Sequence, residues 1–119
     1  MNQPVIIILS FAAVLFFSGC MQSTAYHWGD YEEQVYRMYA VPDKATAAAQ
    51  IDVFELDIEK ARSTGKPLAP GVRAHMGYLY FQLGRHDEAR QAFEAEKLAF
   101  PESAQLMDRF IQKIGTEHV

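Results

Sequence analysis

Residues 70–103, PGVRAHMGYLYFQLGRHDEARQAFEAEKLAFPES, leave the backbone few choices. Gly84 stands between two stretches of helical character and tolerates a left-handed turn. Pro101 cannot continue the helix before it. The spacing predicts a helix, a tight turn at Gly84, a second helix and a proline stop.

The flanking segments follow the same period. Asp30-Tyr31-Glu32-Glu33 has the pattern of a capping box, in which the Asp side chain accepts a backbone N–H and Glu33 reaches back. Tyr31, Val35, Met38 and Tyr39 then share one helical face, and Pro42-Asp43 ends that helix. Thr46 is placed as an N-cap and Gly65 as the residue that closes the next helix. Between them Ile51, Phe54, Ile58 and Ala61 form a stripe. Residues 54–58 also alternate like a strand, but the segment is too long for one and opens on Ala47-Ala48-Ala49, good helix formers. The last segment carries a stripe of Met107, Phe110, Ile111 and Ile114, with Gly115 at its end. The expectation is one all-α domain of about five helices.

Residues 1–19 are of another kind. A thirteen-residue apolar run, Val5 to Phe17, is followed by Ser18, Gly19 and Cys20, the only cysteine of the chain. The run is too short to span a bilayer, which takes about 20 apolar residues. It has the outline of a leader: an apolar core and then small residues. Phe17-Ser18-Gly19-Cys20 resembles the lipobox of bacterial lipoproteins. That resemblance implies cleavage between Gly19 and Cys20 and a thioether from Cys20 to diacylglycerol. Phe17 stands where Leu is usual, and the MNQP start has no Lys or Arg. The alternative is a short membrane-embedded anchor. Met21, by resemblance to lipoprotein sorting, directs the chain to the outer membrane, facing the periplasm, because an Asp there would favour the inner one. Residues 20–29 read as a lipidated tether, 30–115 as the helical domain and 116–119 as a tail.

Residues 70–103 resemble one tetratricopeptide (TPR) motif, with Gly77, Tyr80, Gly84, Ala89, Phe93 and Pro101 in its pattern; the resemblance implies that Gly77 and Ala89 are small where the two helices cross closely and that Tyr80 and Phe93 fill the space between them. Arg73 and Glu96 depart from it, since an aromatic and a small residue are common there. Glu96 leans towards the packed face, and a buried carboxylate needs a partner or water. The expectation is an ion pair with Arg73 or Lys97, or simple exposure by a tilted helix. Over residues 26–114 the chain also resembles a family of small bacterial lipoproteins of unknown function with a TPR-like helical hairpin and flanking helices. The stretches that carry this are YHWGDYEEQVYRMY (26–39), PDKAT (42–46), PGVRAHMGYLYFQLG (70–84) and EKLAFPESAQLMD (96–108). The resemblance implies genes placed beside a curli-secretion-channel-like lipoprotein and a third small lipoprotein.

Composition and spacing limit the chemistry. The net charge is −4, an acidic balance that argues against a nucleic-acid or anionic-lipid surface, and no basic cluster or basic amphipathic stripe exists. His27, His75, His86 and His118 are scattered without metal-ligand spacing, and the glycines form no phosphate loop. No cofactor and no metal are expected, and no enzyme activity. His75 is expected as a satisfied or half-exposed helix residue and not a ligand. The acid pairs Glu32/Glu33 and Asp87/Glu88 lie in first turns of helices, where the macrodipole favours them.

The aromatic residues Tyr26, Trp28, Tyr31, Tyr36 and Tyr39 are rich in polar-tipped rings, which suit interfaces as well as cores. By analogy with the inner face of TPR first helices, Tyr78, Phe81 and Gln82 are candidate partner contacts; the rival is that these rings, Phe81 above Tyr78, pack under a neighbouring helix. Trp28 and Tyr36 join these candidates. The reading is a lipid-anchored, protein-binding module in an envelope assembly with other lipoproteins. A regulator of a peptidoglycan synthase and a small-molecule-binding or enzymatic domain are the alternatives.

Overall fold

The computed structural model describes residues 24–116. The leader, the Gly19–Cys20 junction and His118 lie outside them. The described chain is all-helical: α1 (Tyr31–Ala40), α2 (Ala47–Thr64), α3 (Val72–Gln82), α4 (His86–Ala99), a 3-10 turn (Pro101–Ser103) and α5 (Ala104–Thr116). No strand occurs among the described residues, only a single parallel bridge between His27 and Leu68.

Local chemistry accounts for most boundaries. The Thr46 hydroxyl accepts the Ala49 N–H at 3.3 Å, so α2 is capped without an acid in its first turn. Gly65 closes α2 in the left-handed region, and Gly84 makes the turn between α3 and α4. Pro101 ends α4 and opens the 3-10 turn, which delays α5 to Ala104. Gly115 does not end the last helix; α5 runs through it to Thr116.

The core lies between α2, α3, α4 and α5. Phe54 (0% exposed), Leu79 (0%), Phe93 (3%), Met107 (1%) and Ile114 (1%) form its centre. Burying a side chain of this size contributes about 1.5–3 kcal/mol. Gly77 sits directly under the Phe93 ring, and a Cβ there would meet ring carbons at 2.5 Å. The close crossing of α3 and α4 therefore depends on that missing methyl. Tyr80 reaches α2, where its hydroxyl donates to Glu55 at 3.0 Å.

Two helix starts are made by residues from elsewhere in the chain. The Asp30 side chain forms no cap, so the expected capping box is absent. The Asp30 backbone N–H donates instead to Oδ2 of Asp57, on α2, at 2.8 Å. Gly29, at φ +53°, brings the backbone so close to the Asp57 carboxylate that a Cβ would collide with it. Glu96 plays the same part for α3. It makes no ion pair with Arg73 or Lys97; its Oε1 accepts the Gly71 N–H at 2.6 Å. Lys97 pairs with Glu94 and Asp108 instead. Asp57 is 1% exposed and Glu96 2%. A carboxylate so placed meets an unpaired N–H at the positive end of a helix, which offsets part of the cost of burying its charge.

The two helix pairs, α1–α2 and α3–α4, thus share a plan. The segments entering α1 and α3 run parallel: the His27 N–H donates to Pro67 at 2.8 Å, and the Ala69 N–H to His27 at 3.0 Å. Residues 26–28 of the expected tether therefore rest on the domain. In each pair the second helix carries a buried Phe with an acid three residues later, Phe54/Asp57 and Phe93/Glu96. α1 departs from its expected face. Tyr39 is 82% exposed, and Gln34 is the buried residue. Only the Tyr31 side of the helix meets the core, through Phe54 and His75.

Glu96→Ala leaves the Gly71 N–H without its acceptor, and chemical denaturation should show a loss of about 1–3 kcal/mol. Glu96→Gln keeps an acceptor oxygen and should lose clearly less. Gly77→Ala should cost about 1–3 kcal/mol by overpacking, and less in a Phe93→Leu background, where the ring is gone.

Candidate functional site

α3 and α5 present their aromatic residues on either side of α4. Tyr78 and Phe81 of α3, Phe93 of α4, and Phe110 and Lys113 of α5 line one cleft of 90 Å³. The helical period produces it. Tyr78 and Phe81 lie at i and i+3, as do Phe110 and Lys113, so each pair shares an edge of its helix. The Phe93 ring, pinned over Gly77, forms the floor and stacks at a tilt on Phe110, with centroids 5.2 Å apart. The Lys113 ammonium stands 5.7 Å from the centre of the Phe81 ring. Its charge is held at the mouth by a cation–π contact. Gln82 donates to the Tyr78 hydroxyl at 2.9 Å.

Two of the expected contact residues, Tyr78 and Phe81, therefore line one site, and Gln82 reaches it only through its hydrogen bond to Tyr78. Trp28 and Tyr36 do not line it. Trp28 is 42% exposed and leans on Tyr31 with ring centroids 6.3 Å apart, while Tyr36 is exposed on α1. The sequence does not mark Phe110 and Lys113 as contacts, because Phe110 reads as part of a core stripe. The signal was there: with Met107 and Ile114 turned fully inward, Phe110 falls at the edge of the buried face. Phe110 is 37% exposed.

His75 is satisfied, as expected. Its ring meets Tyr31 and Phe54 edge-on, at 5.7 and 5.5 Å, and its Nε2 lies 3.4 Å from Gln50 Oε1. Gln50, itself buried, donates to the Ala45 carbonyl at 2.8 Å and links the turn after α1 to α3. Burial pushes the His75 imidazole below the usual histidine value of 6.5. Burial, together with the hydrogen bond to Glu55, pushes the Tyr80 hydroxyl above the usual 10.0. Among the described residues no group of three or more His, Cys, Asp or Glu side chains is placed to hold a metal ion. No helix among them is long and apolar enough to cross a membrane.

A family model described as "Domain of unknown function (DUF4810)" matches residues 25–110. No curated protein and no solved structure matches the chain.

The His75 shift has a definite sign. The unfolded chain takes up the proton first as pH falls, so the stability due to neutral His75 is whole above about pH 6.5 and declines below it. Thermal melts between about pH 7.5 and 5 should show a steeper fall for the wild type than for His75→Phe, which cannot be protonated. Parallel profiles would contradict this.

Proposed function

The chain belongs to the DUF4810 family, and from that premise we propose that it is a lipid-anchored envelope protein whose TPR-like helical domain binds other proteins. Cys20 carries the lipid after cleavage behind Gly19. Met21 at the next position favours the outer membrane, with the domain in the periplasm and other envelope lipoproteins as its partners.

The aromatic cleft carries the reading. Tyr78 and Phe110 stay 46% and 37% exposed although a full core already lies beneath them. The fold does not need their rings at the surface, and contiguous exposed aromatic residues on a folded domain mark interaction sites. Rigid rings around a small depression also suit the anchor residues that dominate protein interfaces. Lys113 adds a cation at the mouth, which favours a partner side chain that is apolar with an acid beside it. The cleft lies between α3 and α5, one helix pair apart, where a TPR-type arrangement presents its inner face.

Crosslinked envelopes provide the test. Tyr78→Ala and Phe110→Ala should reduce the recovery of the lipoproteins captured by the wild type; Tyr78→Ala should lower stability by about 1 kcal/mol at most, and Phe110→Ala, which also loses the contact with Phe93, by about 1–3 kcal/mol. Unchanged recovery with both variants would contradict the cleft as the binding surface. Mass spectrometry of the native protein should find a diacylglyceryl group on Cys20 as the first residue. An intact leader with a free thiol would contradict the anchor.

A further inference from the structure

The corner where residue 24 enters the domain carries charge that neither the fold nor the aromatic cleft uses. Arg62 from the last turn of α2, Lys66 just after that helix, and Arg73 from the start of α3 line one 230 Å³ cleft floored by Ile58, Ala61 and Leu68, with no acid in its lining. The chain as a whole is acidic, with a net charge of −4. The three cations are too far apart in sequence to read as a basic run; the α2–α3 junction gathers them.

Internal partners leave most of this charge open. Arg62 meets Glu59 at 3.3 Å, but both side chains are largely in solvent, where such a pair holds weakly. The Lys66 ammonium donates to the Thr24 carbonyl at 3.3 Å and to no acid. The Arg73 side chain, half-buried, makes no ion pair or hydrogen bond among the described residues. The helix macrodipole accounts for Arg62, near a C-terminus. It opposes Arg73, which stands in the first turn of α3 where a cation is disfavoured.

We propose that this corner docks on the headgroups of anionic phospholipids and lays the α2–α3 junction on the bilayer that holds the chain. The proposal rests on membrane attachment through the segment before Thr24. Lys66 touches Thr24, which lies four residues after Cys20, at most about 14 Å of extended chain. Lipid on Cys20 and an uncleaved apolar anchor both bring the bilayer to this end. Cations held there feel the negative surface potential, which decays within a Debye length of about 8 Å at physiological salt. The corner meets the phosphates, and the docked domain keeps a fixed orientation.

The single tryptophan reports on this directly. Trp28 follows His27, whose backbone pairs across Leu68 in the cleft floor. The full-length protein, purified from membranes, is reconstituted into phosphatidylcholine vesicles with or without phosphatidylglycerol, each carrying a headgroup spin label that quenches tryptophan. Quenching should be roughly twofold stronger with phosphatidylglycerol and fall to the neutral level in high salt, as surface attraction is screened. The Arg62→Gln/Lys66→Gln variant, which spares half-buried Arg73, should lose most of the difference. Equal quenching in the two vesicles, with the protein floating with both, would overturn the docking corner alone. Failure to float with either would overturn membrane attachment and the corner with it.

Discussion

Two buried carboxylates hold the architecture together. Asp57 and Glu96 each accept the backbone N–H of the residue that opens a helix in front of them, Asp30 at 2.8 Å and Gly71 at 2.6 Å. A helix start leaves backbone donors unpaired, and the usual remedy is a side chain within the same turn. Here neither α1 nor α3 has a side-chain cap of its own. The acid comes from the second helix of each pair, so each contact fixes the start of one helix against the middle of another. Because both acids are buried, removing either partner would strand a polar group away from water. Entry segments, helix pairs and core Phe residues all take their positions around these two contacts.

The surfaces follow from that frame. α3 cannot slide along α4 while Gly71 is tied to Glu96 and Gly77 is seated under Phe93. Tyr78 and Phe81 therefore face α5 at a fixed height, and Phe110 and Lys113 complete a cleft from the other side. At the opposite end of the same constraint, the start of α3 is drawn to the end of α2, which brings Arg73 to Arg62 and Lys66. One cleft gathers aromatic rings and the other gathers cations.

Much of the helical frame was legible because its signals are local. Thr46, Gly65, Gly84 and Pro101 each act within a turn of their own position, and each ends or opens a helix as its chemistry requires. Gly77 opposite Phe93 was readable from motif spacing. The capping of α1 was not, because Asp30-Tyr31-Glu32-Glu33 fits a local cap while the acceptor lies on another helix. Glu96 stood out as an acid at a packed position, but its partner is a backbone N–H, which leaves no mark in sequence. A trace existed in the repeated Phe-Glu-Leu-Asp (54–57) and Phe-Glu-Ala-Glu (93–96). Tyr39 was misread for a related reason: periodicity gives a face, and only tertiary contact decides how much of it is covered. The candidate cleft was half legible, through Tyr78 and Phe81. Its other wall required knowing where α5 packs.

Amide hydrogen exchange, resolved residue by residue by NMR, addresses the carboxylate contacts most directly. The Asp30 and Gly71 amides sit at helix openings, where such groups ordinarily exchange quickly by fraying. If Asp57 and Glu96 hold them, both should exchange as slowly as the core amides of α3 and open only with global unfolding. Exchange at either position close to the rate of an unstructured chain would contradict the account.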